Sequence, residues 1–419
     1  MSAVLFDGIS KDEVGNVEKV SYMCQKDLHR QQERYKDAIR AQAAAGKLIV
    51  LYGAGMYGRK ILSMLRQEHI QVHSLAVTQR GYNLPEIMGV PVRTLDEIIA
   101  DTPRVFFVLA VKPSAQGVLE EELQKRGITS YLCLPEHAEA VLDEMFFRPV
   151  MEITPRAGCS VNCRFCPQSL FLQRYFAGGD SCQREMNIDE FRRYVNKLPE
   201  NCVIDFSGFV EPFLAKEGLE MVKYAYESGH DVRLFTTLRG LSLAQFHEIE
   251  DIPFRLVVLH LPDQKGYANI PVTEEYLQLL RYVVQKKKKD GSSFIDFANC
   301  QCEPHPEAVK IINHQIMITW DMIDRAGNLD DEALRSAACK HEPIYCGRAA
   351  AYNHNVLLPN GDVVLCCMDF GMQRVLGNLK RQSYEEIMQG AALRSVVREN
   401  GRDGDALCRK CTYARYREK

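Results

Sequence analysis

Cys159-Ser-Val-Asn-Cys163-Arg-Phe-Cys166-Pro167 is the stretch on which the reading of this chain turns. Three thiols stand in one short run with the spacing C-x3-C-x2-C. Thiolates are soft ligands that suit iron–sulfur clusters and zinc. A cluster held by protein alone takes four cysteines, and a structural zinc site takes four closed ligands. The run supplies three. No histidine lies between His137 and His230, so zinc would have to borrow Cys182 or a distant group. Three thiolates can instead hold three irons of a [4Fe–4S] cluster, leaving the fourth iron open to a small molecule. Ligand count and softness favour the open cluster, with zinc as the alternative.

The residues downstream point the same way. Val203–Leu214 reads V-I-D-F-S-G-F-V-E-P-F-L, an apolar strand that ends in Gly208 and Glu211-Pro212. After a helical stretch, Asp231–Gly240 reads D-V-R-L-F-T-T-L-R-G, a second strand with a polar end. With these elements the chain resembles the radical S-adenosylmethionine (radical SAM) enzymes. The resemblance implies that Cys159, Cys163 and Cys166 hold the catalytic cluster. It implies that Gly208, Glu211 and Pro212 support the SAM amino group, and that Phe165 and Thr236 lie against the cofactor. Two departures from the family pattern are visible. Gly208-Phe-Val-Glu211 stands where paired glycines often precede the glutamate, and Thr236-Thr237-Leu238 stands where Thr-Asn-Gly is common. His260, in L-H-L-P-D, closes the next strand, and Arg325 lies in Ile323-Asp-Arg325-Ala-Gly-Asn328-Leu329, similar to an element many relatives carry beside the active site. Arg325 can pair bidentately with a SAM or substrate carboxylate; the alternative is a turn pinned by Gly327. His260 serves the cofactor, the substrate or a proton transfer, or is structural.

Around these motifs, strand and helix alternate. Strands are expected at Val150–Thr154, Val203–Phe206, Val232–Thr236, Arg255–Leu261, Ser293–Ala298 and Gln315–Trp320. Helices are expected at Asp189–Lys197, Leu219–Ser228, Ser242–Glu250 and Glu274–Lys286. Repeated βα units give a parallel sheet with helices outside and a site at the C-terminal strand ends. The fold class is α/β. The resemblance implies a partial (β/α)6 barrel over residues 145–330.

Upstream, residues 1–46 are polar and rich in helix formers, with a helix expected from Asn16 to Ala45 and Gly46 as its stop. Residues 47–136 resemble the small Rossmann-like domains of surface-polysaccharide and nucleotide-sugar gene products. Strand Lys47–Tyr52 leads into Gly53-Ala-Gly55-Met-Tyr-Gly58 and a helix at Arg59–Glu68, a context that suits a nucleotide pyrophosphate. The acidic residue expected after strand Val72–Val77 is missing, and Thr78, Gln79 and Arg80 stand there, with Arg80 a candidate for a 2′-phosphate. The bland reading is that the glycines permit only a tight turn and close packing.

Residues 331–419 carry a second cysteine set: Cys339, Cys346, Cys366, Cys367, Cys408 and Cys411. Pro359-Asn-Gly-Asp362 reads as a hairpin turn into a strand. This part resembles the SPASM/twitch extension of radical SAM enzymes. The resemblance implies one auxiliary [4Fe–4S] cluster on Cys346, Cys366, Cys408 and Cys411, with Cys367 and Cys339 as possible substitutes. A zinc ribbon is the alternative, since C-x2-C pairs suit zinc too.

Composition sets outer limits. Fifteen cysteines without an export signal fit a reducing, cytoplasmic setting and metal work better than a disulfide frame. A net charge of −3 gives no electrostatic case for nucleic acid. No apolar run is long enough to span a membrane. The expected function is therefore a radical SAM enzyme that cleaves SAM to a 5′-deoxyadenosyl radical and takes a hydrogen atom from a small-molecule substrate. The Rossmann-like domain directs the expectation to a sugar, polyol or nucleotide-linked compound. The resemblance implies an electron donor such as flavodoxin or ferredoxin. Two alternatives are a radical SAM peptide maturase and a non-enzymatic zinc or Fe–S scaffold with a nucleotide-sensing domain.

Overall fold

The computed structural model describes residues 30–81, 83–101, 104–111, 113–134, 148–177, 183–289, 291–316, 318–319, 325–329, 339–349, 351–401 and 406–416. The chain divides into two compact units, one within Gly8–Phe146 and one within Phe147–Lys419. Cys24, Cys182 and the first part of the Asn16–Ala45 helix lie outside the described residues; residues 30–44 are helical.

The first unit is built on β1 (Leu48–Tyr52), α1 (Met56–Gln67), β2 (Val72–Val77), β3 (Glu86–Ile87), β4 (Val90–Thr94), α2 (Leu95–Asp101), β5 (Val105–Leu109), α3 (Pro113–Lys125) and β6 (Tyr131–Leu132). Its sheet runs β3-β4-β2-β1-β5-β6. All neighbours pair in parallel except the β3–β4 hairpin. The order therefore grows outward on both sides of β1, as in doubly wound sheets, and the glycine loop follows β1 at that switch point. Strand β1 is apolar throughout because both faces are covered. Ile49 and Leu51 join a core with Ile61, Leu62 and Leu65 of α1. Val50 and Tyr52 face the other way, toward Ile98 and Leu123.

The second unit contains β7 (Val150–Ile153), α4 (Gln168–Phe176), α5 (Ile188–Val195), β8 (Val203–Phe206), α6 (Gly218–Glu227), β9 (Asp231–Thr236), α7 (Leu243–His247), β10 (Leu256–His260), α8 (Glu274–Gln285), β11 (Phe297–Asn299), α9 (Pro306–Ile312) and β12 (Ile318–Thr319). Then come β13 (Ile344–Cys346), β14 (His354–Leu357), β15 (Asp362–Val364), β16 (Val375–Asn378), α10 (Tyr384–Met388), α11 (Ala391–Asn400) and β17 (Ala414–Tyr416). One nine-stranded sheet runs β12-β11-β10-β9-β8-β7-β14-β15-β16. Strands β7 to β12 pair in parallel in chain order. β14 adds in parallel to the free edge of β7, and β15 and β16 follow antiparallel. β13 and β17 form a separate antiparallel pair.

An unreversed order with right-handed crossovers puts the helices on one face of the sheet. The packing agrees: the rings of Phe191 on α5 and Phe206 on β8 lie 6.1 Å apart. Asp205, one residue earlier, faces the opposite side. Local caps fix the helix starts. Asn187 with Glu190, Ser242 with Gln245, and Ser383 with Glu386 each form a reciprocal capping box. The strand expected at Ser293–Ala298 is displaced. β11 begins only at Phe297, because Ser293 instead bridges back to Lys287 and the Asp296 carboxylate accepts from the Val257 N–H. β12 is shorter than expected, and residues 317 and 320 lie outside the described set.

Candidate functional site

The triplet loop follows β7 and is clamped by the loop after β10. Arg164 N–H donates to the Tyr267 carbonyl at 2.8 Å and Asn269 N–H to the Val161 carbonyl at 2.7 Å. Asn269 Nδ2 also donates to the Ser160 carbonyl at 3.0 Å. Asp263 stiffens the clamp, since its carboxylate accepts from the N–H groups of Lys265, Tyr267 and Ala268 at 3.0, 2.9 and 2.9 Å. Phe165 is buried and meets Tyr267 edge-on at 5.6 Å, so it anchors the loop. Burial pushes the Cys163 thiol up to about 12, helped by Cys166 and Cys159, and it raises Cys159 and Cys166 too. Thiolates are costly here without a cation to bind them, which is what a cluster supplies.

The mouth beside the triplet holds the other expected residues of this unit. Glu211 is buried, and its Oε2 accepts from Thr237 N–H at 2.6 Å and Thr237 Oγ1 at 2.7 Å, while its Oε1 accepts from Thr236 Oγ1 at 2.8 Å. Burial pushes Glu211 up to about 7, against the pull of these bonds. The Glu211 N–H also reaches the Cys159 sulfur. A buried carboxylate held in one orientation and short of a cation suits an ammonium group. Arg325 lies across the mouth: its charge is felt by Cys163, Cys166 and His260. It stacks over Phe370 at 5.2 Å, and its Nε is buried without a partner. Arg325, Ala326 and Gly327 have φ of 51°, 52° and 77°. Two non-glycine residues in the left-handed region are costly and mark a constrained site. Burial, then Arg325, pushes His260 down to about 4.

Gly208 has a packing cause. A Cβ there would stand 2.4 Å from the Ile153 carbonyl oxygen and from Thr154 Oγ1. Pro212 starts a single 3-10 turn at Pro212–Leu214. Leu238, where glycine is common in the family pattern, takes φ 63° while buried.

In the first unit the three glycines differ. Gly53 has φ 132° and its Cβ would meet the Ala110 carbonyl oxygen at 2.4 Å; at Gly58 the Cβ would meet the Gly53 carbonyl oxygen at 2.2 Å. Both are explained by packing. Gly55, the N-cap of α1, has nothing within 4 Å of its Cβ position. Arg80 is engaged with Glu97 at 3.2 Å.

The C-terminal cysteines converge from separate elements. Cys346 ends β13, Cys366 follows β15, and Cys408 lies in the 3-10 turn Leu407–Lys410 just before Cys411. All four line one cavity with Leu365, Met368, Leu407, Ala414 and other apolar groups. Burial raises the Cys366 thiol well above its usual value, and Cys367, Cys408, Cys411 and Cys346 add to it. Cys366 and Cys367 part where the chain enters a turn closed by the Asp369 N–H on the Cys366 carbonyl at 3.0 Å: Cys367 packs with Phe209, Phe370 and Cys166 instead. Cys339 does not line the cavity. Buried Arg409 holds the C-x2-C turn by donating to the carbonyls of Lys340, Glu342 and Glu399 at 2.8, 2.9 and 2.9 Å. An apolar cavity walled by four thiols fits an iron–sulfur cluster by donor type and number. Among the described residues no three His, Cys, Asp or Glu side chains are placed to hold a single metal ion.

Residues 346–412 match the SPASM family, an iron–sulfur cluster-binding domain. The SPASM segment thus spans all four cavity cysteines. A search of curated proteins finds no match. Among solved structures, the chain is similar to BtrN in complex with AdoMet and 2-DOIA: 16% identity, 64% of this chain and 93% of that one, TM-score 0.43. It is similar to Streptococcus suis SuiB bound to precursor peptide SuiA: 13% identity, 71% and 82% covered, TM-score 0.43. A third is anSMEcpe with bound AdoMet: 14% identity, 64% and 84% covered, TM-score 0.38. No helix among the described residues is long and apolar enough to cross a membrane.

Sequence reasoning missed four groups. Asp263 was legible as an Asx-type turn before Gly266. Thr237 stands out in the sequence only as a departure from the family pattern. Glu152 and Arg348 gave no local signal, because a charge in an apolar strand looks like an interruption until its partner is seen.

Proposed function

We propose that the chain is a radical SAM enzyme acting on a sugar, polyol or nucleotide-linked small molecule, with β7 to β12 as its partial barrel. The observation that carries this is the convergence of Cys159, Cys163, Cys166, Glu211, Thr236, His260 and Arg325 on one mouth at the strand ends. When bound, a [4Fe–4S] cluster with SAM on its open iron supplies a 5′-deoxyadenosyl radical by reductive cleavage, with the electron from a donor such as flavodoxin or ferredoxin. The chain's residues position and shield. Glu211 accepts the SAM ammonium, and Thr236 and Thr237 keep its carboxylate aimed. Arg325 offers its unpartnered Nε to a carboxylate. Phe165 and the Asp263 clamp hold the triplet in place.

The substrate reading rests on the face of the sheet away from the helices. Glu152, Asp205 and Arg233 stand opposite one another on β7, β8 and β9. Asp205 and Arg233 form an ion pair, yet Asp205 Oδ1 and Arg233 Nε are buried without partners. Unsatisfied donors and acceptors on one face suit a hydroxylated ligand. In the first unit, the open space at Gly55 supports a nucleotide at the N-terminus of α1. A peptide maturase would need a winged-helix leader module, and the described part of the first unit is a mostly parallel sheet with a glycine loop. The test is anaerobic reconstitution with iron and sulfide, then dithionite and SAM. Release of 5′-deoxyadenosine is expected; its absence from a fully loaded protein would leave the scaffold reading.

A further inference from the structure

Arg348 stands two residues after Cys346 and lines the cavity of the four cysteines. Among the side chains that line it, Arg348 alone carries a permanent charge. Its guanidinium bridges to the sheet. Nη1 donates to Cys367 Sγ at 2.8 Å and Nη2 to Glu152 Oε1 at 3.3 Å. The guanidinium carbon lies 5.5 Å from the centre of the Tyr413 ring, another wall of the cavity. Glu152, on β7, is 1% exposed and also bonds His354 Nε2 at 2.8 Å. One partner of this ion pair therefore belongs to the wall of the cavity, and the other to the strand that leads to the triplet.

Buried carboxylates are expensive, and this one is kept by a cation that is itself only partly shared. A second guanidinium in this part of the chain, that of buried Arg409, is committed to three backbone carbonyls and does not line the cavity. The reduction potential of an Fe–S cluster follows the net charge around it, the hydrogen bonds to its sulfurs and its exposure to solvent. A cation beside the cluster favours the reduced, more negative state and raises the potential. A carboxylate behind that cation cancels part of the effect.

We propose that the Arg348–Glu152 pair sets the reduction potential of the cluster in the C-terminal cavity, the cation raising it and the carboxylate trimming it. This rests on the cluster reading of the SPASM segment. It assigns the pair a tuning role rather than a place among the ligands, and it makes a prediction of sign. Removing Arg348 lowers the potential; removing the Glu152 charge raises it. A purely structural pair gives no reason for opposite signs, since breaking a buried pair from either side disturbs the same packing.

The test is a redox titration of the full chain, reconstituted anaerobically and followed by electron paramagnetic resonance. Each variant is made both in the wild-type background and with Cys159, Cys163 and Cys166 all replaced by alanine, so that the C-terminal cluster titrates alone. Arg348→Met is expected to lower the midpoint, Glu152→Gln to raise it, and Arg348→Lys to stay nearest to wild type. Should Arg348→Met fail to load its cluster, Arg348→Gln takes its place, and Glu152→Gln must still shift upward. Two clusters with midpoints that do not move, or that move the same way in both variants, overturn the inference alone. A wild-type chain that assembles no second cluster overturns the cluster reading and the inference with it.

Discussion

The two cysteine sites are built in opposite ways. The triplet comes from one loop, and its fold supplies polar neighbours at an open mouth: Glu211 held by two threonines, Arg325 with a free Nε, and His260. The SPASM cavity is gathered from β13, the chain after β15 and the turn at Leu407–Lys410, and its walls are largely apolar. Three ligands with polar company suit a cluster that binds and activates a small molecule. Four ligands in an apolar closure suit one that only carries electrons. Contiguity also differs in consequence: a local loop can form its site early, whereas the cavity exists only once distant segments have packed.

The largest effect is expected at the triplet. Cys159→Ala, Cys163→Ala or Cys166→Ala should abolish 5′-deoxyadenosine formation while the SPASM cluster keeps its iron, read by chromatography and iron analysis. Formation in any of the three would break the contrast between open and closed sites. Replacing Cys408 and Cys411 together should act the other way round. The second cluster is lost and the midpoint of thermal unfolding falls, because a metal site contributes folding energy. SAM cleavage should persist at a reduced rate while product fails to form. Full iron and sulfide in that double variant would show that the cavity is not the ligand set.

Smaller changes sharpen the mouth itself. Glu211→Gln removes a charge-assisted contact, worth roughly 1.5–3 kcal/mol, so the SAM dissociation constant should rise about 10- to 100-fold by calorimetry. An unchanged value would detach Glu211 from SAM. Thr237→Val keeps the backbone donor to Glu211 and loses the hydroxyl, which donates to Glu211 and accepts the long bond from the Arg239 N–H. It should cost about 1 kcal/mol, near a 5-fold weakening. Gly55→Val should leave SAM cleavage untouched and remove nucleotide or nucleotide-sugar binding, since the space its side chain would fill is empty of protein. A wild-type chain that binds none of a panel of dinucleotides and nucleotide sugars would make the loop structural.

Much of the second unit was legible because its signals are local. β8 matches the expected Val203–Phe206, and the hairpin at Pro359–Asp362 joins β14 to β15 with Gly361 at φ 87°. The helices at 189–197 and 219–228 differ from their expected ends by one or two residues, and the start of the first is fixed by the Asn187–Glu190 capping box that the sequence displays. β11 was misplaced because Phe294 and Ile295 are as apolar as a strand, yet a bridge between Ser293 and Lys287 takes up that stretch. Gly208, which the resemblance sets at the cofactor, also has a packing cause in the neighbouring strand that the sequence does not display.

By itself the sequence determined the α/β alternation and the triplet, since each is written in the periodicity or spacing of nearby residues; the four thiols that meet in the cavity were singled out from six only by the resemblance to the SPASM/twitch extension. Only the tertiary structure decided that Cys366 faces the cavity while Cys367 turns away, that Glu211 is oriented by Thr236 and Thr237, and that Arg348 finds Glu152. Those facts depend on how the turns and loops after the strands aim each side chain and on what another segment brings opposite it. Glu152 and Arg348 lie 196 positions apart in the chain. Nothing local relates two charges at that separation; the packing of the bend after β13 against β7 does, because a carboxylate buried in a low-dielectric interior is costly without a cation beside it.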